Sequence, residues 1–142
     1  MKIDSITNGI VLDHISAGTA LKVYRALALD DLECSVAIIK NVKSHKMGKK
    51  DIIKIDNDFE VDLNVLGYLD PSITVSIIKD GKTVEKKKLK LPKTISEIEV
   101  CKNPRCITSS EEGLQHIFYL ANEERHIYRC KYCDSRVKIS HK

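Results

Sequence analysis

Four of the five cysteines fall in two close pairs, Cys101-x4-Cys106 and Cys130-x2-Cys133, with 23 residues between them. Two such pairs brought together by a loop can offer four thiolates to Zn²⁺, a borderline-soft ion that favours tetrahedral sulfur in structural sites and holds each ligand as thiolate. A closed shell of this kind leaves no position for a substrate or water, so the centre is expected to be structural. Lys102, Arg105, Arg129, Lys131 and Arg136 lie in or beside the pairs and offset the negative charge of a tetrathiolate zinc centre. Two other chemistries fit the residue types: a pair of disulfides, or a thioredoxin-like Cys130-Lys131-Tyr132-Cys133 motif. The redox motif opens a helix after a strand and does not account for the first pair. Cys34 stands apart beside strand-like sequence and reads as a buried thiol. His116, His126 and His141 lack the spacing of a second metal site, and His45 lies in loop-like sequence.

None of the local catalytic signatures occurs: there is no Gly-x-Gly-x-x-Gly, P-loop, His-Glu-x-x-His or Gly-x-Ser-x-Gly. Asp13-His14 pairs an acid with a base, but adjacent strand residues point to opposite faces and are not expected to act as a dyad. Lysines provide the remaining chemistry. Lys46, Lys49, Lys50 and Lys54 flank or occupy one strand-like run, and Lys86, Lys87 and Lys88 another, where alternation puts Lys86 and Lys88 on one face and Lys87 on the other. If Lys54 and Lys86 converge near Asp13, the set offers cations for a polyphosphate and an acceptor for a ribose hydroxyl or base amine. The bland alternative is a solvated edge protected by charge.

The elements that must carry these residues follow from hydrophobic spacing. Ala17, Ala20, Leu21, Tyr24, Leu27 and Ala28 recur at three and four behind Ser16, predicting a helix capped by that serine. A shorter helix is predicted over 61–69, with Leu63 and Leu66 inward, stopped by Asp70-Pro71. Strands are predicted over 3–6, 10–14, 35–42, 51–55, 73–78 and 83–89, where Val and Ile are prominent, with an Asp80-Gly81 hairpin signal before the last. The order β, β, α, β, β, α, β, β predicts an α+β fold: a mostly antiparallel sheet with two helices on one face. The apolar run Ser35-Val36-Ala37-Ile38-Ile39 suits a strand edge that a dimer partner could extend. A lysine run ending at Pro92 marks the boundary, giving domains 1–92 and 93–142. The second, at about 50 residues, is too small to bury an adequate core without a staple. It is expected to be a small all-β zinc-ribbon-like domain.

Composition agrees with a folded, soluble chain. Of 142 residues, 42% are hydrophobic and 31% charged, and the net charge is only +4, which selects no partner by itself. No apolar run approaches the roughly 20 residues of a membrane span. The start lacks the apolar core of a secretory signal, and the chain reads as cytoplasmic, where disulfides are disfavoured.

Together these motifs identify a family resemblance. The chain resembles the regulatory chain of aspartate carbamoyltransferase along its whole length. The resemblance is carried by Gly9-Ile10-Val11-Leu12-Asp13-His14-Ile15, by Met47-Gly48-Lys49-Lys50-Asp51-Ile52-Ile53-Lys54-Ile55-Asp56-Asn57, by Cys101-Lys102-Asn103-Pro104-Arg105-Cys106-Ile107 and by Cys130-Lys131-Tyr132-Cys133. The cysteine spacing is shared with many zinc ribbons, whereas the Gly-Lys-Lys-Asp-Ile-Ile-Lys-Ile segment discriminates. The resemblance implies a dimerising N-terminal nucleotide-effector domain and a C-terminal zinc domain that grips the catalytic chain, neither of them catalytic. In that family ATP activates and CTP, with UTP in some members, inhibits carbamoyl transfer to aspartate, the committed step towards pyrimidines. By matching position, Asp13 and Lys54 are implied as contacts to ribose and base, and Lys86 to phosphates. Ile6, Val11 and His14 line or support the pocket, and Cys101, Cys106, Cys130 and Cys133 hold one zinc ion.

One segment departs from the family pattern Tyr/Phe-Ala-Pro-x-Ala-Thr-Val-Asn-x-Ile. Here it reads Tyr68-Leu69-Asp70-Pro71-Ser72-Ile73-Thr74-Val75-Ser76-Ile77-Ile78, with Ser76 at the asparagine position. A hydroxyl replaces an amide that carries separate donor and acceptor groups, which bears on base discrimination. Two rival readings remain at the level of sequence. A zinc-ribbon nucleic-acid binder fits the lysines and knuckles but has no Trp and only two Phe for base stacking. A small metalloenzyme would require an open zinc position.

Overall fold

The structure is a computed structural model that describes residues 6–58 and 60–137. The chain divides into two compact units, Met1–Lys90 and Leu91–Lys142.

In the first unit, five strands form one antiparallel sheet: β1 (Gly9–Ser16), β2 (Val36–Ser44), β3 (Gly48–Ile55), β4 (Thr74–Lys79) and β5 (Lys82–Lys88). Their spatial order is β2-β3-β1-β4-β5. Alternation sends Ile10 and Leu12 of β1, Ile53 and Ile55 of β3 and Val75 of β4 to one face. There they pack with Ala20 and Val23 of helix α1 (Ala20–Ala26) and Leu66 of helix α2 (Leu63–Leu69). Each aliphatic side chain so buried contributes about 1.5–3 kcal/mol. Both helices lie on this face. The strand residues between the buried ones alternate towards the other face, which carries Lys50, Lys54 and Lys86.

Local chemistry fixes the element ends. The β4–β5 hairpin closes through Asp80-Gly81 with Lys79 opposite Lys82, and both turn residues have positive φ, 52° and 75°, as a two-residue type I′ turn requires. Gly9 is needed for another reason: a Cβ there would stand 2.1 Å from the Ile55 carbonyl oxygen. Asp62 caps α2, its Oδ1 accepting from the Asn64 and Val65 N–H groups at 3.0 and 3.2 Å.

Three expectations need correction. Ser16 ends β1 and does not cap α1; the N-cap is Thr19, because Gly18 at φ 91° turns the chain before the helix starts. The helix also stops early, since Ala28 takes a left-handed φ of 53° and opens a 3₁₀ turn over Leu29–Asp31. Of the strand predicted over 3–6, residues 3–5 lie outside the described residues, and Ile6 is in no strand.

The second unit is a three-stranded antiparallel sheet of order β6-β7-β8, formed by Thr94–Ser96, Ile117–Asn122 and Ile127–Cys130. A single helical turn, α3 (Ile107–Ser110), follows Cys106. Its apolar core is small, centred on Ile95, Phe118 and Tyr128, and the Tyr128 hydroxyl donates to the Pro92 carbonyl.

Candidate functional site

The helix-free face of the first unit brings together most of the residues singled out by sequence. Val11 stands opposite Lys54 on one side and Ser76 on the other, and Ser76 stands opposite Lys86. Lys54, Val11, Ser76 and Lys86 therefore form one row across four adjacent strands. Val11, Lys54 and Ser76 are half-buried and Lys86 is exposed. Neither Lys54 nor Lys86 has an ion-pair partner among the described residues. Lys87, on the opposite side of β5, lies 3.7 Å from Glu85. Ile6 packs against Gly9, two residues before Val11 on β1, its Cγ2 2.8 Å from the point a Gly9 Cβ would occupy.

Asp13 and His14 occupy a β-bulge further along β1. The register with β3 steps from Leu12↔Ile53 to Ile15↔Asp51, so two residues of β1 oppose one of β3, and His14 takes φ 59°. The expectation that Asp13 and His14 point to opposite faces fails here, because a bulge breaks strict alternation. Asp13 Oδ1 lies 2.9 Å from Lys50 Nζ, and His14 Nδ1 lies 3.1 Å from Thr74 Oγ1. Both partners precede core-facing residues, Asp51 and Val75, and so belong to the helix-free face. The two still form no acid–base dyad. The His14 N–H donates to Asp13 Oδ1 at 2.6 Å, while its ring turns to Thr74. Burial raises the Asp13 pKa, and the Lys50 contact with the His14 N–H bond outweighs it, holding the carboxyl below its ordinary 3.8.

Sequence reasoning missed two buried carboxylates, Asp51 and Asp70, that tie the strands to the segments around them. Asp51 is fully buried and accepts from the N–H groups of Gly18 at 2.9 Å, Ala20 at 3.2 Å and Asn41 at 3.0 Å. Asp70 accepts from Ser16 N–H at 2.8 Å and Ser72 N–H at 3.0 Å. The visible signal was Asp51 standing in phase with Ile53 and Ile55 on an alternating strand, since a buried carboxylate must find donors.

In the second unit the four paired cysteines converge. Their sulfur atoms all lie within 4.8 Å of one another, with Cys101–Cys133 at 3.6 Å and Cys106–Cys130 at 3.7 Å. None is in a disulfide. Sulfurs at the corners of a tetrahedron around zinc, at about 2.3 Å each, would be about 3.8 Å apart, so the thiol set fits such an ion. Burial pushes Cys101 up to about 12 and raises Cys130. A hydrogen bond from Ser135 brings Cys133 down to about 6, and one from Thr108, at 3.1 Å, lowers Cys106. A bound divalent cation would hold all four as thiolates.

An open-faced antiparallel sheet with lysines at both ends of one row, followed by a small β unit with four convergent thiols, defines a two-unit chain with a candidate metal centre. Comparison with known proteins gives the family. A family model described as the aspartate carbamoyltransferase regulatory chain, allosteric domain, matches residues 1–90, and one described as the metal binding domain of the same chain matches 93–141. The aspartate carbamoyltransferase regulatory chain of Clostridium botulinum (strain Hall) is 53% identical over 94% of this chain and 92% of its own. That of Clostridium tetani is 51% identical over 98% and 97%, and that of Bifidobacterium longum 45% identical over 98% and 100%. The chain belongs to the aspartate carbamoyltransferase regulatory chain family. It is a non-catalytic regulatory subunit, and its family implies association with a catalytic chain. Among the described residues no helix is long and apolar enough to cross a membrane.

Proposed function

We propose that the helix-free face of the first unit binds the nucleotides ATP, CTP and UTP, and that their binding controls carbamoyl transfer by the catalytic trimers in pyrimidine biosynthesis. What supports this reading most is the row Lys54–Val11–Ser76–Lys86, with two unneutralised ammonium groups flanking a small, half-apolar centre. Lys86 is the phosphate contact. Lys54 and Asp13 address ribose and base, and Ile6, Val11 and His14 line the pocket. Ser76 offers one hydroxyl to the base. Control follows when a nucleotide binds two assembly states with different affinity, a coupling of typically about 1–3 kcal/mol.

Cys101, Cys106, Cys130 and Cys133 would hold one structural Zn²⁺, which supplies cross-linking of two knuckles in a unit with little core of its own. Around them Val100, Ile107 and Tyr132 are exposed apolar side chains, a surface suited to the catalytic chain. The apolar start of edge strand β2, with Ala37 and Ile39 half-buried, serves regulatory-chain dimerisation in the cytoplasm. Calorimetric titration of the zinc-loaded chain with CTP and ATP tests the reading: saturable binding of one nucleotide per chain is expected, and no heat with either nucleotide would refute it. Nucleic-acid binding, the rival function, would instead fall steeply with salt.

A further inference from the structure

We infer that Asp70 and Ser72 are positioning residues of the helix-free face: they hold the Asp13–His14 bulge in the one shape that presents the Asp13 carboxylate and the His14 ring together to a bound nucleotide. This rests on the nucleotide reading above.

His14 sits at φ 59°, a conformation that residues other than glycine keep only when their surroundings enforce it. The enforcement comes from one short segment. Ser72 Oγ lies 3.0 Å from the His14 carbonyl oxygen and also touches Asp70 Oδ1. With a single proton, the hydroxyl donates to one of these at a time. Asp70 anchors the arrangement by accepting from Ser72 N–H and, through Oδ2, from Ser16 N–H. Thr74 completes it by meeting the ring at Nδ1. The segment thus reaches His14 at its carbonyl, at its ring and two residues further along the chain. Nε2 of the ring has no partner among the described residues.

The location of Asp70 points the same way. It is the C-cap residue of α2 and is 7% exposed. Carboxylates are disfavoured at helix C-termini, where carbonyl oxygens concentrate negative charge. A buried acid at that place is accounted for by what it holds, which is the far side of the bulge. Ser72, by contrast, is exposed, so removing its hydroxyl leaves no cavity.

The test uses the full-length, zinc-loaded chain with CTP as probe. Ser72→Ala is expected to weaken CTP binding about fivefold or more, the scale of one lost hydrogen bond, and to shift the His14 ring ¹⁵N resonances. Ser72→Thr should restore both, and Asp70→Asn should reproduce the loss with zinc content unchanged. Unaltered CTP affinity in Ser72→Ala, with the wild type binding normally, would overturn the inference even if Asp70→Asn failed to fold. A folded, zinc-loaded wild-type chain that ignores CTP and ATP would overturn the nucleotide reading and this inference with it.

Discussion

Lys50 on β3 reaches across the sheet to Asp13 in the β1 bulge, with Nζ 2.9 Å from Oδ1, and the contact is mostly shielded from water. Because the Asp13 pKa is lowered in the fold, the pair stabilises the protein fully above the unfolded carboxylate pKa. Its contribution is lost as pH falls through the depressed folded value. Urea unfolding of wild type and Asp13→Asn should therefore differ at pH 7 and converge in acid below the ordinary carboxylate range. A constant difference across that range would show that the ion pair is not the stabilising contact.

Lys86→Ala removes an exposed, unpaired ammonium group and should leave the fold unchanged. Charge-assisted hydrogen bonds are worth about 1.5–3 kcal/mol, so nucleotide affinity is expected to fall about tenfold or more, with nucleotide control of catalysis falling in parallel. Unchanged binding and control would remove Lys86 from the phosphate role.

Asp51 ties the start of α1 and the Asn41 position of β2 to β3 by accepting three N–H hydrogen bonds. Asp51→Ala removes a fully buried acceptor from three N–H donors, and the expected loss is about 3 kcal/mol. Thermal unfolding would register it. A loss below about 1 kcal/mol would mean that water or another acceptor enters and satisfies these groups.

Cys130→Ser replaces a fully buried sulfur at the end of β8. The expected outcome is loss of metal and of ordered structure in the second unit, since metal binding in small zinc domains supplies about 10–16 kcal/mol of apparent free energy. Metal analysis with amide dispersion in NMR spectra reports both. Full metal content with native dispersion would contradict a four-thiolate centre.

The legible parts of this chain were those in which neighbours in sequence do the work. Cys101-x4-Cys106 and Cys130-x2-Cys133 announced a centre because each pair is a local knuckle, and Asp80-Gly81 announced its turn because only certain residues accept positive φ. The lysine alternation at Lys86, Lys87 and Lys88 likewise follows from strand geometry alone. The bulge at Asp13-His14 was not legible. Its contacts come from Asp70, Ser72 and Thr74, which lie 56 to 61 residues away in sequence, and it includes a left-handed histidine that no local rule requires. The early end of α1 was hidden for a related reason: the periodic apolar residues continue to Ala28, but Leu27 and Leu29 meet the core from outside the helix. The Lys50–Asp13 pair was missed because sequence spacing drew attention to Lys54.

The proposed function joins nucleotide binding to a catalytic partner through a metal-stapled unit. Native mass spectrometry of the chain coexpressed with the aspartate carbamoyltransferase catalytic chain from the same source, before and after metal removal, tests it most directly. The expected result is a zinc-bearing assembly of two catalytic trimers bridged by three regulatory dimers that falls apart when the metal is withdrawn. A zinc-loaded chain that never joins the catalytic subunits, or an assembly indifferent to metal removal, would contradict it.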